Sequence, residues 1–334
     1  MVQAAKGSAE RSLRVGVVGV GVMGSNHARV LAELPGVELI GVADPDRRHA
    51  EYVARALDTK AVDAVESLLP LKPDAVSIAA PTHLHHDIAL TCIKRGIHVL
   101  VEKPIASSPE EGRSIIAAAR HAGVTLMVGH VERFNPAVET IKQAIHGEEI
   151  LSISITRVGP FPPRMSNVGV VIDLAVHDID LIRWFTDSDI VDVQPLLASA
   201  VAEREDIALL QFRTKSGVLA QINTNWLTPF KARTVHVATR EKYIIADLLT
   251  RQVTECFGFQ PDGSYSMRHL SVGYAEPLRA EFMAFFSAIR TGGTPAVTGE
   301  EGVASLEIAM RCLRDHQAIA PTAPPRKTPR RVAG

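Results

Sequence analysis

Asp173 and His177 stand four residues apart in the run VIDLAVHDIDLIRWF, residues 171–185. No Pro or Gly interrupts the run, and its apolar residues recur at helical spacing. Side chains at i and i+4 are neighbours on one helix face. Advancing roughly 100° per residue, Asp173, His177 and Asp180 share a stripe about 60° wide. Leu174, Ala175, Ile179, Ile182 and Phe185 take most of the remaining circumference. A solvated helix spreads its charges broadly, so this narrow polar stripe on an apolar helix invites a chemical reading. A carboxylate beside an imidazole fixes its tautomer and stabilises the cation formed when it takes a proton. The pair is a candidate general base; the competing reading is a hydrogen-bonded pair that only holds a buried helix. Asp178 falls among the apolar positions and reads as structural.

Lys103, in Glu102-Lys103-Pro104, is the second candidate. It follows an apolar strand end and is held between an acid and a rigid proline. An ordinary lysine pKa of about 10.4 suits a hydrogen-bond donor, and burial or nearby positive charge lowers it toward the proton-transfer range.

These groups need elements to position them. The first half of the chain alternates β-branched runs (13–20, 37–43, 75–79, 98–101, 124–128) with amphipathic helical stretches (26–34, 47–57, 87–95, 109–122). Near-continuous apolar strands separated by helices predict a doubly wound parallel sheet, an α/β fold. The first strand runs into Gly19-Val20-Gly21-Val22-Met23-Gly24, a complete G-x-G-x-x-G. Gly19 permits the tight turn, Gly21 lets backbone approach a pyrophosphate, and Gly24 lets the next helix pack on the strand. That helix start, with Val22 and Met23, offers N–H groups to phosphates. Asp44 ends the second strand, twenty residues beyond Gly24, where a carboxylate accepts from ribose hydroxyls and repels a 2′-phosphate. NAD is the expected cofactor. Arg47 and Arg48 leave NADP as a second possibility, although two arginines opening a helix also read as solvated charges.

In open α/β sheets ligands bind beyond the carboxyl ends of the strands. Ala80-Pro81-Thr82-His83-Leu84-His85-His86 and Glu102-Lys103-Pro104 sit there. Together with the glycine turn and the Asp173–His177 helix, over roughly residues 12–315, these segments resemble the glucose–fructose oxidoreductase and inositol dehydrogenase (Gfo/Idh/MocA) family of NAD(P)-dependent oxidoreductases. The resemblance implies a Rossmann domain over 12–129 and a substrate-binding and oligomerisation domain over 130–318. It implies that His85 lies near the nicotinamide end, that Pro81 and Glu102 help place the cofactor, and that Lys103 touches the reacting hydroxyl. Oxidising an alcohol removes a hydride from carbon and a proton from oxygen. His177, oriented by Asp173, is then the base, with Lys103 polarising the oxygen.

Alternating runs in the second half (191–198, 207–213, 218–225, 234–238, 243–248) predict an α+β domain with a largely antiparallel, open-faced sheet. Stretches 278–289 and 303–313 read as closing helices. In the resembled family the uncovered face mediates oligomer contacts, which implies a homodimer or homotetramer. Gly129–Pro136 (GHVERFNP) and Arg157–Arg164 (RVGPFPPR) bear on the substrate. The second is a stiff proline loop with an arginine at each end, and arginine forks suit phosphate oxygens. With VGVVIDLAVHDID, they look like those of the family's UDP-N-acetylglucosamine 3-dehydrogenases, which oxidise the sugar C3 hydroxyl. Arg157 and Arg164 are the expected diphosphate contacts. A free sugar or cyclitol such as inositol is the alternative substrate, and an NAD-responsive regulator without activity the alternative function.

Composition narrows the classes. Lys+Arg number 36 against 37 Asp+Glu in 334 residues, which gives no support for bulk nucleic-acid or membrane-surface binding. At 46% hydrophobic, the chain can bury a two-domain core. The apolar run 15–23 is too short to span a bilayer and lacks signal-peptide organisation. Cys92, Cys256 and Cys312 show neither disulfide nor zinc spacing, and the three histidines near Pro81 lack accompanying acids or cysteines, so no metal is expected. A cytoplasmic protein is expected, with a disordered Pro/Arg-rich tail over 321–334.

Overall fold

The computed structural model describes residues 11–162 and 168–315. Arg164 and the 321–334 tail lie outside the described residues. The chain forms two compact units. Of the described residues, one unit comprises 11–134 together with Ala275–Ala304; the other comprises 135–162, 168–274 and 305–315. The continuous division at 129/130 expected from sequence differs from this, because the helical stretch at 278–289 belongs to the first unit.

In the first unit the strands are β1 (Leu13–Val18), β2 (Val37–Ala43), β3 (Ala61–Val62), β4 (Ala75–Ile78), β5 (His98–Glu102) and β6 (Leu126–Gly129). They form one sheet in the order β3-β2-β1-β4-β5-β6, with every pair parallel. β4 is buried throughout, and Val99, Leu100 and Val101 are fully buried, as two covered faces require. The connecting helices are α1 (Val22–Glu33), α2 (Arg47–Ala56), the single turn α3 (Val65–Leu68), α4 (His85–Ile93) and α5 (Pro109–Ala122). α5 shows how locally this is written. The Ser108 side chain accepts the Glu111 N–H, Pro109 opens the helix, and Gly123 closes it at φ 65°. The order reverses between β1 and β4, so the loops after these strands form the switch point at which such sheets bind ligands.

In the second unit, α6 (Pro136–Ala144) precedes β7 (Ile150–Pro160). A π-helical turn, Val171–Ala175, runs into α7 (Val176–Thr186). Strands β8 (Ile190–Ala198), β9 (Ile207–Thr214), β10 (Leu219–Asn225), β11 (Leu227–Thr239), β12 (Lys242–Asp247), β13 (Gln252–Phe257) and β14 (Ser266–Leu270) follow. The last described helices are α8 (Pro277–Thr291), which lies in the first unit, and α9 (Gly299–Arg314), whose residues are divided between the two units. The sheet order is β14-β13-β12-β11-β7-β10-β9-β8. All ladders are antiparallel except β7–β10. Inward positions such as Ile153, Ile155, Leu210, Ile222, Val235 and Ile244 share a core with Val176, Ile179 and Phe185. The other face is open. Gln194, Gln211, Gln221, Ser154, His236 and Ile245 follow one another across it in register. No described helix is long and apolar enough to cross a membrane.

Candidate active site

At the switch point the glycines divide their work. Gly19 adopts φ 83°, a region closed to most side chains, and a Cβ there would lie 2.6 Å from the Ala80 nitrogen. A Cβ on Gly24 would meet the Gly19 carbonyl oxygen at 1.7 Å. Packing therefore dictates both. Gly21 is different: a Cβ there would meet nothing within 4 Å. Its bareness serves no contact among the described residues, and it caps α1 without a side-chain bond to the first-turn N–H groups. This is the geometry of a phosphate cradle.

Beside the cradle lies a cavity of ≈ 700 Å³ lined by Gly19, Gly21, Asp44, Ala80, Pro81 and Leu84, among others. The Asp44 carboxylate accepts the Val20 N–H at 2.8 Å and the Asp46 N–H at 2.9 Å, which fixes it against the glycine turn. Asp63, Glu66 and Asp87 line the same cavity, and no Lys or Arg does among the described residues. Arg47 is exposed and paired with Glu51 at 2.8 Å. Val22 and Met23 open α1 with exposed side chains. The cradle, the carboxylate and the cavity size all fit a dinucleotide.

His85 is buried. Its Nδ1 lies 2.9 Å from the Pro104 carbonyl oxygen and its Nε2 2.8 Å from that of Ala80. Burial lowers its pKa, although both carbonyls favour the cation. The ring thus ties the loop after β4 to the loop after β5 and spends both nitrogens on backbone, rather than presenting one to a ligand. Glu102 is buried as well. Its Oε1 lies 3.0 Å from His27 Nε2, and its Oε2 accepts the Lys103 N–H at 3.1 Å. Burial alone would raise the Glu102 pKa; the His27 bond and charge, with the charge of Lys103, outweigh it and hold the carboxyl below its usual range. Sequence reasoning missed His27 and Glu281. Glu281 is wholly buried on α8, neither oxygen has a hydrogen-bond partner among the described residues, and burial together with the Glu102 charge holds its pKa well above the ordinary carboxyl value. The available signal for His27 was its place among Ala28, Val30 and Leu31 on the inner side of α1.

The second unit sorts the polar residues of the opening helix. Asp178 is buried against Arg157, whose Nε donates to both carboxylate oxygens at 3.0 Å and whose Nη2 donates to Oδ1 at 2.7 Å. Asp180 is buried, with the Ser305 hydroxyl 3.3 Å away. Asp173, in the π-turn, and His177, in the first turn of α7, are the half-buried members. A π-turn inserts one residue per turn, and such turns cluster at functional sites. Its start is fixed from the loop before β9, where the Glu205 carbonyl accepts the Val170 N–H at 3.0 Å. Arg157, expected to contact a diphosphate, is 2% exposed and committed to Asp178. Its position explains why: it shares the inward face of β7 with Ile153 and Ile155. Arg133, in the GHVERFNP stretch, is likewise internal, donating to Glu301 at 2.6 Å within the first unit. Lys103 and the Asp173–His177 pair belong to different units.

A family model described as an oxidoreductase family with NAD-binding Rossmann fold matches residues 13–130, and the Gfo/Idh/MocA C-terminal domain model matches 138–245. The chain belongs to the Gfo/Idh/MocA oxidoreductase family. It is 32% identical to UDP-N-acetylglucosamine 3-dehydrogenase of Acidithiobacillus ferrooxidans over 71% of this chain and 74% of that protein. It is 31% identical to inositol 2-dehydrogenase of Rubrobacter xylanophilus over 95% of this chain and 94% of that one. A solved structure of the A. ferrooxidans enzyme superposes with a TM-score of 0.84 at 29% identity, covering 90% of this chain and 96% of that one. This Gfo/Idh/MocA member is thus an NAD-binding oxidoreductase with the expected parallel Rossmann sheet and a largely antiparallel second sheet.

Proposed function

We propose that this family member oxidises a secondary hydroxyl of a sugar to a ketone, with C3 of UDP-N-acetylglucosamine as the substrate position. The carrying observation for the chemistry is the sorting within the helix: Asp178 and Asp180 are internal, which leaves Asp173 and His177 as its half-buried acid–imidazole pair. NAD, when bound, supplies the hydride acceptor. The His177 imidazole takes the hydroxyl proton, Asp173 orients the ring and stabilises its cation, and Lys103 donates to the substrate oxygen. Support for the sugar nucleotide comes from the A. ferrooxidans relative, in sequence and in structure. The Rubrobacter relative supports inositol as the second reading. Incubating the protein with NAD and UDP-N-acetylglucosamine, free N-acetylglucosamine or inositol, and following NADH absorbance, decides between them. Rapid reduction with inositol and none with the UDP-sugar replaces the first reading by the second.

The cofactor reading is NAD over NADP, because Asp44, Asp63, Glu66 and Asp87 all line the cavity that a 2′-phosphate would approach. Asp44→Ser should narrow the preference. Wild-type protein that binds NADP as tightly as NAD would hand the site to Arg47 or Arg48. The open face of the second sheet, with Leu196, Leu209 and Ile245 exposed, is our reading of the surface that forms a homodimer or homotetramer. Light scattering on wild type and Leu209→Glu tests it, and an unchanged mass refutes it.

A further inference from the structure

His27 has entered so far only as the partner of Glu102, yet it is wholly buried beneath the cofactor cradle with both ring nitrogens engaged. It sits three residues past Gly24, on the face of α1 that packs on the sheet. Nδ1 is 2.7 Å from the Ser77 hydroxyl and Nε2 is 3.0 Å from Glu102 Oε1. With the Nε2–H donated to the carboxylate, Nδ1 pairs with the Ser77 hydroxyl, which can donate or accept in that contact. Ser77 and Glu102 belong to adjacent strands, β4 and β5, near the ends whose loops build the cofactor region. The imidazole therefore spans two strand ends as a rigid two-ended spacer.

The Glu102 carboxylate has little freedom. The Lys103 N–H donates to Oε2 at 3.1 Å. A Cβ on Gly129, from β6, would already lie 3.2 Å from the Glu102 Cδ, so bare backbone walls that side. Phe282 of α8 meets the His27 ring edge-on, with centroids 5.2 Å apart and planes at 87°. Helix, two strands and a covering aromatic thus converge on one carboxylate whose remaining hydrogen bond goes to the backbone of Lys103. A carboxylate buried this deeply needs compensating donors, and among the described residues His27 and the Lys103 amide supply them.

We propose that His27 is a positioning residue for the dehydrogenation: through Glu102 it holds the backbone at Lys103, and through Ser77 it holds the adjoining end of β4. The inference rests on the reading of Lys103 as the group that touches the substrate hydroxyl. Its energetic basis is orientation. Displacement of a catalytic group by about 1 Å can cost on the order of 10²-fold in rate without any contact to substrate being removed.

The test uses His27→Leu, His27→Gln, Ser77→Ala and, in parallel, Lys103→Met, all in the full chain. Three readouts are taken: steady-state kinetics per folded molecule, NAD binding, and hydrogen exchange of the Lys103 amide. His27→Leu should lower kcat by roughly 10- to 100-fold, leave the NAD Kd within about twofold and speed exchange at Lys103. Gln at position 27 keeps a donor and an acceptor, so it should recover most of kcat; packing alone would not explain such recovery. Folded His27→Leu protein with wild-type kcat, or with unchanged Lys103 exchange, overturns the proposal. If His27→Leu does not fold, Ser77→Ala carries the same two criteria, since it removes one end of the spacer and no bulk. Near-normal turnover in Lys103→Met would instead sink the reading of Lys103. An inactive Lys103→Met beside a fully active His27→Leu sinks this inference alone.

Discussion

Arg157→Met is the most informative single change, because the sequence and the structure assign that arginine different work. In the fold, its guanidinium makes a bidentate contact with a carboxylate that is 0% exposed. Removing one partner of a buried pair leaves the other charge uncompensated, at a cost of about 3–5 kcal/mol. For a unit of this size, each kcal/mol lowers Tm by about 2–4 °C, so the variant should melt roughly 6–20 °C lower. Asp178→Asn should do comparable damage from the other side. The double variant Arg157→Met, Asp178→Leu removes both charges and should recover most of the loss, because an apolar pair of similar volume replaces a buried ion pair at little net cost. Thermal unfolding followed by circular dichroism gives the cycle, and saturation kinetics with UDP-N-acetylglucosamine supply the contrast. An Arg157→Met protein with a wild-type Tm and a tenfold higher KM would refute this assignment and return the arginine to the substrate diphosphate.

Lys103→Ala and His177→Ala should each lower turnover by roughly 10²–10⁴-fold with NAD binding intact, and Asp173→Asn should lower it less; near-normal rates remove the residue from its role. Gly21→Ala should fold normally but bind NAD poorly, whereas Gly24→Ala should destabilise the first unit, since its Cβ would collide with the Gly19 carbonyl; equal NAD affinity in wild type and Gly21→Ala removes the cradle. Glu281 makes stability depend on pH. Below the ordinary carboxyl pKa both folded and unfolded chains hold its proton; above it, and up to the raised folded value, only the folded chain does. Folding therefore loses up to about 1.4 kcal/mol per pH unit through that window as pH rises. Glu281→Gln should flatten this slope in a Tm-against-pH series relative to wild type, and parallel curves would show that Glu281 does not titrate there.

Much of this was legible in the residues. The glycine turn, the strand–helix alternation and the placement of Asp44 follow from period and spacing, and those are local properties. The inward place of Arg157 was signalled too, since strict alternation from Ile153 and Ile155 points it toward the core, opposite an Asp178 that reads as internal. The π-turn at Asp173 leaves no mark, because inserting one residue per turn alters hydrogen bonding without altering composition. Nor does linear order reveal that α8 belongs with the first sheet: a helix's apolar face shows that it packs, not on what. His27 and Glu281 are single polar residues in apolar faces, and what they do depends on partners 50 or more positions distant.

The parallel β7–β10 ladder has a consequence for synthesis. β7 finds its neighbours only in later chain: Ile155 pairs with Ile222 on one side and Val235 on the other. As the polypeptide emerges, this apolar strand has neither edge satisfied until some 60 further residues have followed, roughly 3–12 s at 5–20 residues per second. Through that interval it presents two open edges, the feature most prone to pairing with a foreign strand. The π-turn and α7 are made within the same interval, so the helix bearing Asp173 and His177 must wait beside an unfinished sheet. Slowing translation between β7 and β10 should therefore reduce soluble yield more than slowing it after β11.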